Sequence, residues 1–173
     1  EMHILGLFID HHSPALIKEL ESLQQFRAER NAKMIDNLTA QGLSLSYDDV
    51  LACKPGSTLA GLGRIHMAVA LVKKGYAETV NEAFSKFLVG GTAAYVSRQR
   101  FSPQECIGLI REAGGYSFLA HPIYSEKQQR ALENLIVQLK SFGLDGVECM
   151  HSEQDEAFSD MCLALCQKHS LMV

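Results

Sequence analysis

No stretch of this 173-residue chain approaches the roughly 18 consecutive apolar residues of a membrane-spanning helix. The opening Glu-Met-His-Ile brings no basic flank to the apolar run behind it, so no signal peptide is expected either. The five cysteines (Cys53, Cys106, Cys149, Cys162 and Cys166) include no Cys-x-x-Cys pair. Cys162 and Cys166 have no histidine pair to match them, which argues against a zinc finger. An odd number of cysteines in apolar surroundings fits reduced thiols in a cytoplasmic protein, most of them plain core residues. Gly-x-Gly-x-x-Gly, Gly-x-x-x-x-Gly-Lys-Ser/Thr, Gly-x-Ser-x-Gly and His-Glu-x-x-His are all missing. Basic clusters interleaved with aromatics are missing too. A formal net charge of −4 argues against a broad nucleic-acid-binding face. It leaves room for a narrow site that takes a phosphate or a short oligonucleotide.

What is present is a core and a change of rhythm. Hydrophobic residues make up 47% of the chain, enough for one domain or a domain with an insert. His3-Ile4-Leu5-Gly6-Leu7-Phe8-Ile9 reads as a buried strand, and Asp10-His11-His12 as the loop after it. Ser13-Pro14 then opens a long helix with a cap and an N1 proline. Apolar spacing carries that helix to about Ala40, and Gly42 ends it. Arg27 and Arg30 interrupt its apolar stripe, either as solvated charge beside Glu29 or as guanidiniums turned toward an anion. Residues 43–100 read as short helices, with capping boxes at Ser46-Tyr47-Asp48-Asp49 and Thr79-Val80-Asn81-Glu82. Helices this short must pack on one another or on a larger body. From Ser102-Pro103-Gln104-Glu105 onward, helix and strand alternate: helix to Ala113, strand 116–120, helix 126–142, strand 146–150, helix 153–168, and a strand start at Leu171-Met172-Val173. That alternation predicts an α/β fold with a parallel sheet, open or closed into a barrel. The chain begins and ends in strands, so it is expected to be the interior of a longer protein.

In parallel α/β folds, function collects at the carboxyl ends of strands. His121, in Leu119-Ala120-His121-Pro122, lies at such an end, as do Glu148 and His151. A neutral imidazole at His121 suits Zn, Mn or Fe, against the alternative of a structural histidine. His3, at the start of the first strand, is a second candidate ligand. Glu148 could ligate a metal, orient a ligand histidine or pair with a cation, and His151 could reach a bound substrate. Gly63-Arg64-Ile65-His66 opens a helix whose N-terminus, with Arg64 and His66 beside it, can hold a phosphate. Exposed positions are expected for His11, His12 and His169.

Four stretches, taken together and in order, resemble one family: His3 to Asp10, Gly63-Arg64-Ile65-His66-Met67-Ala68, Ala113-Gly114-Gly115 followed by Leu119-Ala120-His121-Pro122, and Gly143-Leu144-Asp145-Gly146-Val147-Glu148. The family is the polymerase and histidinol phosphatase (PHP) superfamily. More narrowly, they resemble its bacterial phosphoesterases acting on 3′,5′-nucleoside bisphosphates and short 5′-phosphorylated RNA. The resemblance implies a distorted (β/α)7 PHP barrel, with residues 1–42 and 101–173 as the barrel portion and 43–100 as a small helical insert covering the active site. It implies that His3 and His121 ligate metal and that Arg64 and His66 lie near the substrate phosphate. It also implies up to three divalent metal ions (Mn, Mg, Zn or Fe) that activate water, and a small nucleotide or short oligonucleotide as substrate. No catalytic residue is assigned. The family's His-x-His strand, the acidic, histidine and glutamate ligands that follow it, and a later Asp-x-His pair have no match in this chain. Two of about nine ligands are therefore expected here, with the site poorly occupied. The alternatives are a catalytically silent nucleotide- or partner-binding domain, a histidinol-phosphate phosphatase, and a polymerase-associated PHP module.

Overall fold

The computed structural model describes residues 2–173. In chain order its elements are β1 (His3–Leu7), α1 (Pro14–Ala40), α2 (Tyr47–Leu51), α3 (Arg64–Lys73), α4 (Val80–Ala83), α5 (Pro103–Glu112), β2 (Tyr116–Ala120), α6 (Gln129–Phe142), β3 (Gly146–Val147) and α7 (Glu156–His169). They fold into two compact units. One holds the N-terminal segment through Lys18 together with Phe101–Val173, and the other is Glu19–Arg100. None of the helices is long and apolar enough to cross a membrane among the described residues.

The first unit is built on a three-stranded sheet with β2 in the middle. β2 pairs parallel with β3, and Gly146 of β3 forms a further parallel bridge to Met172. This much follows the alternating pattern after Ser102. β1 instead runs antiparallel to β2, from His3 opposite Ala120 to Leu7 opposite Tyr116. The sheet is therefore mixed, and the described residues form an open sheet rather than a closed barrel. β1 is also an edge strand, with Leu5 41% and Leu7 39% exposed, and not the fully buried run its composition suggests.

Local chemistry sets the ends. Ser102 caps α5 by accepting the Glu105 N–H, and the Glu105 side chain returns to the Ser102 N–H, which completes the box read from the sequence. Gly114 turns out of α5 at a positive φ. Gly115 has no side chain because a Cβ there would lie 2.7 Å from the Leu7 carbonyl oxygen. β2 begins only at Tyr116, so β1 loses its partner after Leu7, and Phe8 turns away at φ 56°, 86% exposed. The first strand is accordingly shorter than expected. β3 shrinks to two residues, since past Val147 the Glu148 N–H reaches the Leu119 carbonyl while the Cys149 carbonyl takes a side-chain N–H from Gln154. α6 and α7 start three residues later than their periodicity suggests, α7 on the Asp155 cap. Ile107, Leu119, Leu132, Ile136, Leu139, Val147 and Leu165 fill the core between sheet and helices. Each side chain buried there is worth about 1.5–3 kcal/mol.

In the second unit the larger part of α1 packs on the short helices. Met34, Ile35, Leu38, Met67, Leu71 and Leu88 are fully buried together. Asn31 is also fully buried and donates to the carbonyls of Leu59 and Leu62, so its amide is satisfied where an apolar residue would be usual. The Ser46–Asp49 capping box forms as read. At Thr79 only half of the box forms: its hydroxyl accepts the Glu82 N–H, while the Glu82 carboxylate takes the Glu78 N–H. α4 runs on into a single π turn over Phe84–Leu88.

Candidate metal centre and phosphate contacts

The antiparallel register of β1 on β2 brings together two histidines 118 residues apart in sequence. His3 Nδ1 lies 3.1 Å from His121 Nε2, and the rings meet edge to face at 5.0 Å. His121 itself sits in the left-handed region, φ 29° and ψ 64°, just before the Pro122–Tyr124 turn. A non-glycine residue in a sparsely populated backbone region costs about 1–3 kcal/mol and is held there only by its surroundings. Two neighbours do the holding: Pro122 is buried behind it, and Glu148 accepts the His121 backbone N–H at 2.5 Å. Glu148 thus fixes the backbone of the histidine rather than its ring.

The His121 ring has a second property. Its Nδ1 is buried without a hydrogen-bond partner. A neutral imidazole has one N–H and one lone pair. If Nε2 carries the proton and donates to His3, then Nδ1 is a buried lone pair that accepts nothing. The His151 ring lies 5.6 Å from that of His121, and the Tyr124 ring 5.4 Å. The sequence singled out His151 but not Tyr124, although Tyr124 follows Ala-His-Pro by only two residues. His151 Nδ1 accepts the Glu153 N–H.

As a donor set for a divalent cation, the pair fits in type and in spacing. Imidazole nitrogens bind Zn²⁺ at about 2.0–2.1 Å, so two on one ion stand about 3.0–3.4 Å apart. The observed 3.1 Å falls in that range. Among the described residues, no group of three His, Cys, Asp or Glu side chains converges to hold a metal.

The other sequence candidates lie in the second unit. Arg64 opens α3, donates from one terminal nitrogen to the Leu88 carbonyl at 2.9 Å, and lies over the rings of Phe84 and Tyr95. His66, one turn in, accepts the Gly63 N–H on Nδ1 at 2.9 Å. Arg27 donates from Nε to the Leu62 carbonyl. Of the histidines expected at the surface, His11 and His12 are exposed. His169 is only 18% exposed and pairs with Glu133, which corrects that expectation. Behind Glu148, Cys149, Cys162 and Cys166 are buried and unbridged, with the sulfurs of Cys149 and Cys166 3.6 Å apart. A hydrogen bond with Cys162, with burial adding to it, pushes the Cys149 thiol up to about 12.

With this geometry in view, the chain is similar to hydrolases of phosphate esters. A solved structure assigned as a metal-dependent phosphoesterase, from Bifidobacterium adolescentis, superposes with a TM-score of 0.72 at 27% identity, covering 99% of this chain and 60% of that one. Two particular relatives stand out by sequence. A 3′,5′-nucleoside bisphosphate phosphatase of Chromobacterium violaceum is 33% identical over 147 residues, 85% of this chain and 51% of the relative. A 5′-3′ exoribonuclease of Haemophilus influenzae is 31% identical over 147 residues, 85% of this chain and 52% of the relative. The chain spans about half the length of these curated relatives. No protein-family model matches it.

Proposed function

We propose that this chain is part of a PHP-type metal-dependent phosphoesterase that hydrolyses phosphate esters of nucleotides, either 3′,5′-nucleoside bisphosphates or short 5′-phosphorylated RNA. The observation that carries the reading is the facing pair His3 Nδ1 and His121 Nε2 at 3.1 Å, with His121 Nδ1 buried and unpartnered. A divalent cation shared by the two facing nitrogens would take a lone pair from each and leave the His121 proton on Nδ1. His3 and His121 would hold a divalent cation, with manganese, magnesium, zinc and iron as candidates. A bound divalent cation supplies charge for a developing phosphoryl oxyanion and lowers the pKa of bound water. Glu148 keeps His121 in place through its backbone N–H. His151 and Tyr124 stand where they can touch a substrate beside His121. Arg64 and His66 are proposed phosphate contacts: Arg64 uses one of its five N–H groups on Leu88, and its planar guanidinium suits a phosphate. The names of the relatives support nucleotides as the ester class. The five free thiols support a reducing, cytoplasmic setting.

The test is phosphate release from adenosine 3′,5′-bisphosphate and from a short 5′-phosphorylated RNA, after chelation and re-addition of each metal. His121→Ala is expected to lower turnover roughly a hundredfold or more, and Arg64→Ala chiefly to raise KM. Undiminished turnover in His121→Ala would remove the reading. A second reading, a silent nucleotide- or partner-binding domain, is favoured by the two-histidine donor set. It would be selected by nucleotide binding without release of phosphate under any metal.

A further inference from the structure

We propose that Phe84, Tyr95 and the Leu88 carbonyl form a clamp that positions Arg64, presenting one edge of its guanidinium to a phosphate of the substrate. The clamp rests on the reading of Arg64 as a phosphate contact and adds the groups that aim it. Arg64 Cζ lies over the Phe84 ring at 5.7 Å and over the Tyr95 ring at 5.6 Å. Both rings are half-buried, as is Arg64 itself. One terminal nitrogen, Nη1, donates to the Leu88 carbonyl at 2.9 Å. The two π faces attract the cation, and the carbonyl fixes which way its nitrogens point.

Two of the three parts come from the π turn Phe84–Leu88, in which the Val89 N–H reaches back to the Phe84 carbonyl. A π turn interrupts helical regularity and frequently marks a functional position. Here it brings a ring from its first residue and a carbonyl from its last onto the same side chain. The Thr92 hydroxyl stands 2.8 Å from the Phe87 carbonyl and 2.9 Å from that of Val89, so it serves the neighbours and leaves the Leu88 carbonyl to Arg64. With Nη1 on Leu88, the Nε–Nη2 edge keeps two parallel N–H groups, the geometry that a phosphate accepts in bidentate fashion. An unheld arginine spreads over many rotamers, and ordering it on binding weakens affinity; a clamp formed beforehand removes that loss. Arg64 also needs holding because it stands near another cation. Burial first and repulsion from Arg64 next keep the Arg30 pKa below the usual arginine range. The rings hold Arg64 against that repulsion.

The experiment is calorimetric titration of the full, metal-free chain with adenosine 3′,5′-bisphosphate. It compares the wild type with Arg64→Ala, Phe84→Leu, Tyr95→Leu, Tyr95→Phe and the double variant Arg64→Ala/Tyr95→Leu. Phe84→Leu and Tyr95→Leu are each expected to weaken binding about threefold to tenfold. Tyr95→Phe keeps the ring and should bring affinity back to within about twofold of the wild type. In the double variant, Tyr95→Leu should add nothing to the loss from Arg64→Ala, because Tyr95 acts only through Arg64. This readout separates positioning from a purely structural role: a change that loosened the unit would weaken binding whether or not Arg64 is present. If Arg64→Ala weakens binding while the leucine variants bind like the wild type, the clamp is overturned and Arg64 stands as a phosphate contact. Tyr95→Phe as weak as Tyr95→Leu, or a double variant weaker than Arg64→Ala by the full Tyr95→Leu factor, would overturn the clamp as well. Wild-type affinity in Arg64→Ala, or no binding by the wild type, removes the phosphate contact and the clamp with it.

Discussion

His121 carries two unfavourable features at once, a left-handed backbone and a buried ring nitrogen with no partner. Neither helps the fold, and together they are what supports the proposal of His121 as a metal ligand. Asparagine tolerates the left-handed region better than histidine does. His121→Asn is therefore expected to melt no lower than the wild type in a chelator, while stabilisation by added divalent metal disappears. A thermal melt with and without Mn²⁺ checks both. Cys149, one residue past Glu148, should behave in the opposite way. Its raised thiol pKa and full burial predict no alkylation by iodoacetamide in the native state at neutral pH and complete alkylation once unfolded, read by mass spectrometry. At this scale the sequence made His121 visible, through a strand end followed by proline. It did not show that His3 faces it, because that contact depends on strand register across 118 residues.

The most legible elements are the helix starts that are written in four consecutive residues. Ser102-Pro103-Gln104-Glu105 and Ser46-Tyr47-Asp48-Asp49 fold as capping boxes where they were read. Ser102→Ala should cost about 1 kcal/mol of stability, measured by urea unfolding. The Asp49 box carries a pH dependence as well. Lys74 first, then Ser46, holds the Asp49 carboxyl down at about 2, against an ordinary 3.8. A carboxyl lowered on folding contributes stability above its unfolded value and loses it as pH falls toward the folded one. The melting temperature of wild type should thus exceed that of Asp49→Asn above pH 4, with the gap closing as pH falls from about 4 toward 2. Strand direction and extent were less legible. An apolar run such as His3–Ile9 does not encode whether its partner runs parallel or antiparallel, and its end is fixed from outside, by Gly115 and the start of β2.

At the scale of the molecule there are two units with a core each, and the proposed contacts divide between them: His3 and His121 in one, Arg64 and His66 in the other. A net charge of −4 conceals a local concentration of arginine, which composition cannot report. The chain's similarity to phosphate-ester hydrolases runs through both units, over about half the length of the curated relatives. The central claim is that His3 and His121 share a divalent cation. It is tested most directly by titrating Mn²⁺ into protein with ¹⁵N-labelled histidine and following the imidazole resonances. The account predicts that His3 and His121 broaden first, with His151 next, and that this order is lost in His121→Ala. Broadening that begins at His11 and His12, or that proceeds equally at all seven histidines, would contradict it.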